Sequence, residues 1–302
     1  MTFSDRINNL DRRWLYLLVG VFAVLPLLYP LGMPVNISPA VQSLYDRVES
    51  LEPGEIIMVS FDYGPSTGPE NDPMAQALIR HALTRDLRLV MLALYPIGGL
   101  NEGLQEMERC VGPLDPPNGL LESSAYPGKF YGQDFVYLGY KDGGLATMRQ
   151  MNENIHEVFP EDYYGTPVTE YPLSNEVHGY GDLAFAFSVS TGIIGEWWAN
   201  TVNAQFGIPV GTGCTAVSAP KYFAYYKAGQ MFALLGGLKG AAEYERLVCD
   251  NYPLVKDQTR AQTFYAGKGW DVQSVVYSII TIFIILGNVA FLVERRRQRM
   301  QM

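Results

Sequence analysis

The chain has 302 residues, 48% of them hydrophobic and 18% charged, with three cysteines and a net charge of −9. Near-average composition excludes a disordered or collagen-like chain, and the acidic balance argues against nucleic acid or anionic headgroups as partners. Its mean hydropathy of +0.01 conceals two apolar ends around a water-compatible middle.

The first element is an apolar run from Trp14 to Met33 with no charged residue. It supplies the roughly 20 residues that cross a hydrocarbon core. The run exceeds the ~7–15 residues of a signal-peptide core, so an uncleaved anchor is expected rather than a cleaved leader. A second uncharged run, Val272 to Val293, closes the chain as an expected second transmembrane helix. Arg6, Arg12 and Arg13 precede the first run, and Arg295, Arg296, Arg297 and Arg299 follow the second. Basic residues are retained on the cytoplasmic side, so both termini are expected there, with residues 34–271 extracytoplasmic at a prokaryotic cytoplasmic membrane. The two ends carry seven arginines against three acids, which leaves the middle at −13.

Within that middle, β-rich runs alternate with helix-patterned segments. The runs are Glu55–Asp62, Arg88–Tyr95, Gln133–Tyr140, Asp182–Ser190 and Ile208–Cys214. Alternation of this kind predicts an α/β fold, a doubly wound, mostly parallel five-stranded sheet in the order 3-2-1-4-5. Asp72–Pro73 reads as a cap and first-turn proline, and Asn101 as a cap for the next helix. Lys221–Cys249 reads as one long helical stretch whose glycines, Gly229, Gly236, Gly237 and Gly240, mark a break or a close contact with the sheet. Residues 34–54 and 250–271 read as short polar connectors, and Gly112–Gly132 and Pro160–Gly181 as irregular insertions.

Ligands of doubly wound sheets bind beyond the carboxyl ends of the strands. That places the candidates at the strand tails: Asp62, Ser66, Thr67 and Glu70 after the first strand, Lys141 and Asp142 after the third, and Thr215 after the fifth. Acids and hydroxyls there suit a polar or cationic ligand, with a turn-stabilising role as the alternative for Asp62 and Ser66. Gly211–Ala216 has the form G-x-G-x-x-A, but it follows the last strand and lacks a ribose-binding acid, so no nucleotide is expected. Cys214 and Ser218 are weak candidate nucleophiles, with His178 as the one candidate base outside a predicted helix. No metal-ligand spacing and no hydrolase, P-loop or haem motif occurs, so no metal or cofactor is expected. Cys110 and Cys249 form the candidate disulfide pair, with their bonding left open.

The runs DYGPSTGPEND (62–72), VFPEDYYGTPV (158–168), GCTAVSAP (213–220) and LLGGLKGAAEYE (234–245) resemble a family of uncharacterised prokaryotic two-span membrane proteins with a Rossmann-like extracytoplasmic domain. The resemblance implies a scaffold and brings no established activity. The leading functional expectation is a non-enzymatic subunit of a membrane complex, touching partner proteins or further copies of itself through the acidic domain and its tyrosine-rich Pro160–Gly181 loop. A ligand-binding or sensory domain using the crevice around Asp62, Ser66, Thr67 and Asp142 is the second expectation, and a hydrolase or transferase using Cys214 or Ser218 with His178 as base the third.

Overall fold

The computed structural model describes residues 11–96, 99–114 and 121–299. It divides into two units, Val35–Ala266 and a second formed by the chain ends, up to Pro34 and from Gly267.

In the first unit, β1 (Ile56–Asp62), β4 (Phe185–Ser190) and β5 (Val210–Cys214) are buried at every residue. Strands covered on both faces need no polar stripe, which is why these segments show no apolar–polar alternation and carry only small hydroxyls and one acid among their apolar and glycine residues. With β2 (Arg88–Ala93), β3 (Phe135–Tyr140) and β6 (Ala233–Gly236) they make one sheet in the order β3-β2-β1-β4-β5-β6. Every pairing is parallel. The order extends outward in both directions from the β1–β4 pair, the switch point of a doubly wound sheet.

The sixth strand corrects the expected count of five. Gly229 takes φ +74° just beyond the helix Ala219–Lys227, and Gly237 takes φ +61° at the start of the helix Gly237–Asn251. Both are left-handed positions that break a helix and favour glycine. Between them Ala233–Gly236 is free to pair with β5. The expected single helix is therefore helix, strand and helix.

Two further expectations change. Residues 34–54 hold a helix, Pro39–Glu49, whose Val41, Leu44 and Val48 are buried in the core, and residues 250–271 hold another, Pro253–Arg260. These connectors are structural parts of the unit. The helix after β1 starts at Gly68 with Pro69 in its first turn, so Pro73 lies inside it and Asp72 is not its cap.

The Pro160–Gly181 insertion is ordered by one carboxylate. Asp162 accepts from the Tyr164 and Thr166 N–H groups through Oδ1 and from the Tyr131 and Tyr171 hydroxyls through Oδ2. Tyr171 and Tyr180 are buried, and Tyr163 and Tyr164 are half-buried edge to face. Much of the loop's aromatic surface thus packs within the unit itself. All three cysteines are free, so the structure has no Cys110–Cys249 bond.

In the second unit, Ala266–Val293 is long and apolar enough to cross a membrane. The other apolar helix, Arg12–Leu28, has 17 residues and ends before Pro30. Beyond it the chain turns at Gly32, φ +65°, and the N–H groups of Leu31, Gly32 and Met33 all donate to the carboxylate of Asp271 at 2.7–2.9 Å. The end of one apolar helix is thereby tied to the start of the other.

Candidate functional site

Three chain segments build a cleft of about 800 Å³ at the carboxyl end of the sheet. One wall is the turn and helix after β1, with Gly68, Asp72 and Gln76. The second is the helix after β2, Gly99–Val111, with Glu102 and Arg109. The third is Ala261–Phe264, just before the long apolar helix.

Asp72 and Glu102 line the cleft and the buried Glu106 stands behind them, each of the three carboxylates offering an oxygen within 4.8 Å of the others. Glu102 and Glu106 stand one helical turn apart on a common face, and Arg109 lies one turn further on. Arg109 sits 3.6 Å from Asp72 and bonds Glu106. Asp72 also accepts the Tyr63 hydroxyl at 2.8 Å, and Glu106 accepts the Gln76 amide.

Glu106 is fully buried, and burial together with the neighbouring Asp72 pushes its pKa up to about 8. Burial raises Asp72 and Glu102 as well. Three acids face one half-exposed arginine, so acidic groups outnumber cations here and burial disfavours the charged form of each acid. The cleft is arranged to receive a cation, whose arrival would favour the charged form of each carboxylate.

Gly103 sets the depth of this site. A Cβ there would lie 2.5 Å from the Tyr137 hydroxyl on β3, so only glycine lets the acid-bearing helix settle against the sheet. Gly103→Ala should destabilise the unit by about 1–3 kcal/mol through overpacking. Urea unfolding of the purified protein checks this, and an unchanged midpoint would show that Tyr137 gives way freely.

The expected strand-tail residues lie at the same end but do not share this cleft. Asp62 is fully buried. Its Oδ1 accepts from Ser60 Oγ and the Leu94 N–H, its Oδ2 from Ser188 Oγ and Trp198 Nε1, all at 2.6–2.9 Å. Its acceptor sites are thereby filled by the fold. Ser66 is exposed, while Thr67 bonds the Gly64 carbonyl within the turn. Glu70 accepts the Ala216 N–H at 2.7 Å, joining the β1 and β5 tails beside Thr215, whose hydroxyl faces Ser218 at 3.3 Å. Asp142 is exposed and accepts its neighbour's N–H at Gly143. Part of the β2 tail, Ile97 and Gly98, lies outside the described residues.

The candidate nucleophile and base are not brought together. Cys214 is buried at the carboxyl end of β5, and burial pushes its thiol up to about 12. His178 is exposed at the opposite end, its carbonyl bonded to Ile155 where the chain approaches the start of β4. The glycines of the G-x-G-x-x-A run lie within β5 itself; a Cβ on Gly211 would meet the Phe187 ring at 2.7 Å. They serve side-chain packing inside the core.

Sequence reasoning took Asp72 for a helix cap and passed over Glu102, Glu106 and Arg109. The available signal was the spacing of Glu102, Glu106 and Arg109 along one helix face, together with an acid in the preceding helix. Comparison with known proteins finds no matching family model, no matching curated protein and no matching solved structure.

Proposed function

We propose that this is a membrane-anchored protein whose extracytoplasmic α/β domain binds a small cationic ligand, an organic amine, in the acidic cleft. The observation that carries the reading is the pairing of Asp72 and Glu102 on the cleft wall with the buried Glu106 behind them, against a single arginine in that wall. Its volume of about 800 Å³ falls in the range of small-molecule sites, roughly 300–1,000 Å³, and exceeds what a bare ion needs. The long apolar helix, the tie between the apolar segments at Asp271 and the arginines outside them support anchoring by two spans with both termini cytoplasmic.

The test is a thermal-shift series on detergent-solubilised protein with ethanolamine, choline, putrescine, spermidine, Ca²⁺ and Mg²⁺. At least one amine is expected to raise the melting temperature, with the increase lost in Glu102→Gln and Asp72→Asn. No response to any amine in the wild-type protein refutes the reading. Stabilisation by the divalent ions alone would redirect it to a metal site.

A second reading, a non-enzymatic subunit of a membrane complex, draws on the exposed apolar side chains Ile193 and Val217. A strictly monomeric mass after gentle solubilisation from native membranes would count against it.

A further inference from the structure

Six large hydrophobic residues are exposed among the described residues of the α/β unit: Leu145, Ile193, Val217, Phe223, Leu254 and Phe264. Five of them lie at one end. Leu145 opens the helix after β3, Ile193 follows β4, and Val217 and Phe223 follow β5. Phe264 lines the cleft with Pro65 and Gly68, which follow β1. Only Leu254, beyond the far end of the helix Gly237–Asn251, sits elsewhere. Val217 is 91% exposed and Ile193 50%, so these side chains bury little against their own fold.

The chain also enters and leaves the unit at this end. The helix Pro39–Glu49 runs toward the start of β1, so its first residues lie at the carboxyl end of the sheet, where the Ser38 N–H donates to Glu243. On the way out, Thr263 and Phe264 line the cleft, and the helix long enough to cross a membrane starts at Ala266. The uncharged run begins at Val272, eight residues past Phe264. Six residues of helix rise only about 9 Å, and two linking residues reach at most about 7 Å. On the other side ten residues, 29–38, separate Leu28 from Pro39, a reach of at most about 36 Å.

We propose that the β4–β5 side of this end, where Ile193, Val217 and Phe223 are exposed, rests on the bilayer that holds the chain's own apolar helix, with those three side chains entering the headgroup region. The proposal rests on the membrane-anchoring part of the proposed function and is independent of the cleft's ligand. Short covalent leashes emerging from one end, and apolar side chains concentrated at that end, select the bilayer as the occupant. Because the middle of the chain carries −13, contact is made by apolar insertion and needs no anionic lipid.

The experiment uses the full chain in phosphatidylcholine vesicles that contain lipids brominated near the headgroup or along the acyl chain. The variants Val217→Cys, Leu254→Cys and Ile284→Cys, in a Cys249→Ser background that leaves only the buried Cys110 and Cys214, carry an environment-sensitive fluorophore on the introduced, exposed thiol. Val217 is so exposed that its replacement leaves the packing intact. The expected result is quenching of the label at 217 by shallow bromines, at least twofold stronger than at 254, with quenching at 284 by deep bromines as the anchor control. Equal, weak quenching at 217 and 254 with strong quenching at 284 overturns the proposal while leaving the anchor standing. Shielding of 217 from both lipid and aqueous quenchers also overturns it, in favour of a protein partner or a second copy. No quenching at 284 removes the anchoring reading and this proposal together.

Discussion

Replacing Glu106 by Gln is expected to flatten the pH dependence of the domain's stability between pH 4.5 and 8. In the folded protein Glu106 holds its proton up to about pH 8, because burial and the adjacent Asp72 disfavour its charged form; its ordinary value is 4.5. Between those values the unfolded chain has lost the proton and the folded chain has kept it. The folded state binds more protons, so wild-type stability is fully present below pH 4.5, falls as pH rises, and stops falling above about 8. The slope approaches about 1.4 kcal/mol per pH unit as an upper limit. Asp72 and Glu102 are raised by burial too and act in the same direction. Gln resembles the protonated acid and carries no proton to lose, so Glu106→Gln should gain on the wild type steadily up to pH 8. Urea midpoints at pH 5, 6, 7, 8 and 9 decide the matter. Parallel curves for the two proteins would mean that Glu106 ionises normally and the cleft is wetter than its geometry implies. If a cation displaces this proton, its affinity should also rise with pH, by up to about tenfold per unit below pH 8.

Asp62→Ala should be the most damaging single substitution in the sheet, and its effect should fall on stability. The carboxylate joins β1 to the Leu94 N–H beyond β2, to Ser188 on β4 and to Trp198 in the π-helical run Trp198–Asn203. Removing it strands the Leu94 and Trp198 N–H groups, which cannot rotate to new partners as the serine hydroxyls can. Each buried donor left unpaired costs about 1–3 kcal/mol, and the cavity adds to that. A total on the order of 3–5 kcal/mol is a large share of the 5–15 kcal/mol that holds a typical domain together. Asn is a poor substitute, since its amide hydrogens must face one of the two fixed N–H donors. Both variants should lower the melting temperature by about 6–20 °C, leaving the response to amines intact in whatever fraction remains folded. An Asp62→Ala protein that melts like the wild type but loses its amine response would make Asp62 a ligand group and overturn its role as the keystone of the sheet.

The polar network around His81 is a quieter case of the same physics. Its Nδ1 meets the Tyr244 hydroxyl at 2.8 Å and its Nε2 meets Glu49 at 3.0 Å, while the Tyr45 ring stacks upon it. Burial is the largest influence and pulls the pKa of the imidazole down to about 4. A histidine that reads as a catalytic candidate by type is here a neutral link between three helices.

Local pattern by itself determined five of the six strands, their order outward from β1 and the two apolar ends, of which Ala266–Val293 is a helix long enough to cross a membrane, because strands buried on both faces and apolar helices leave largely apolar runs. It also placed Asp62 at the end of β1. Whether that carboxylate would meet a ligand or four donors from its own fold depended on β2, β4 and Trp198, separated from it by 32 to 136 positions. β6 stayed hidden because Ala233–Gly236 is only four residues long and is flanked by helices. The acidic cleft stayed hidden for a different reason: Asp72, Glu102 and Glu106 are ordinary helix residues in sequence. Packing of the helices after β1 and β2, with Gly103 against Tyr137, is what sets their oxygens within 4.8 Å and turns three surface-type acids into one site.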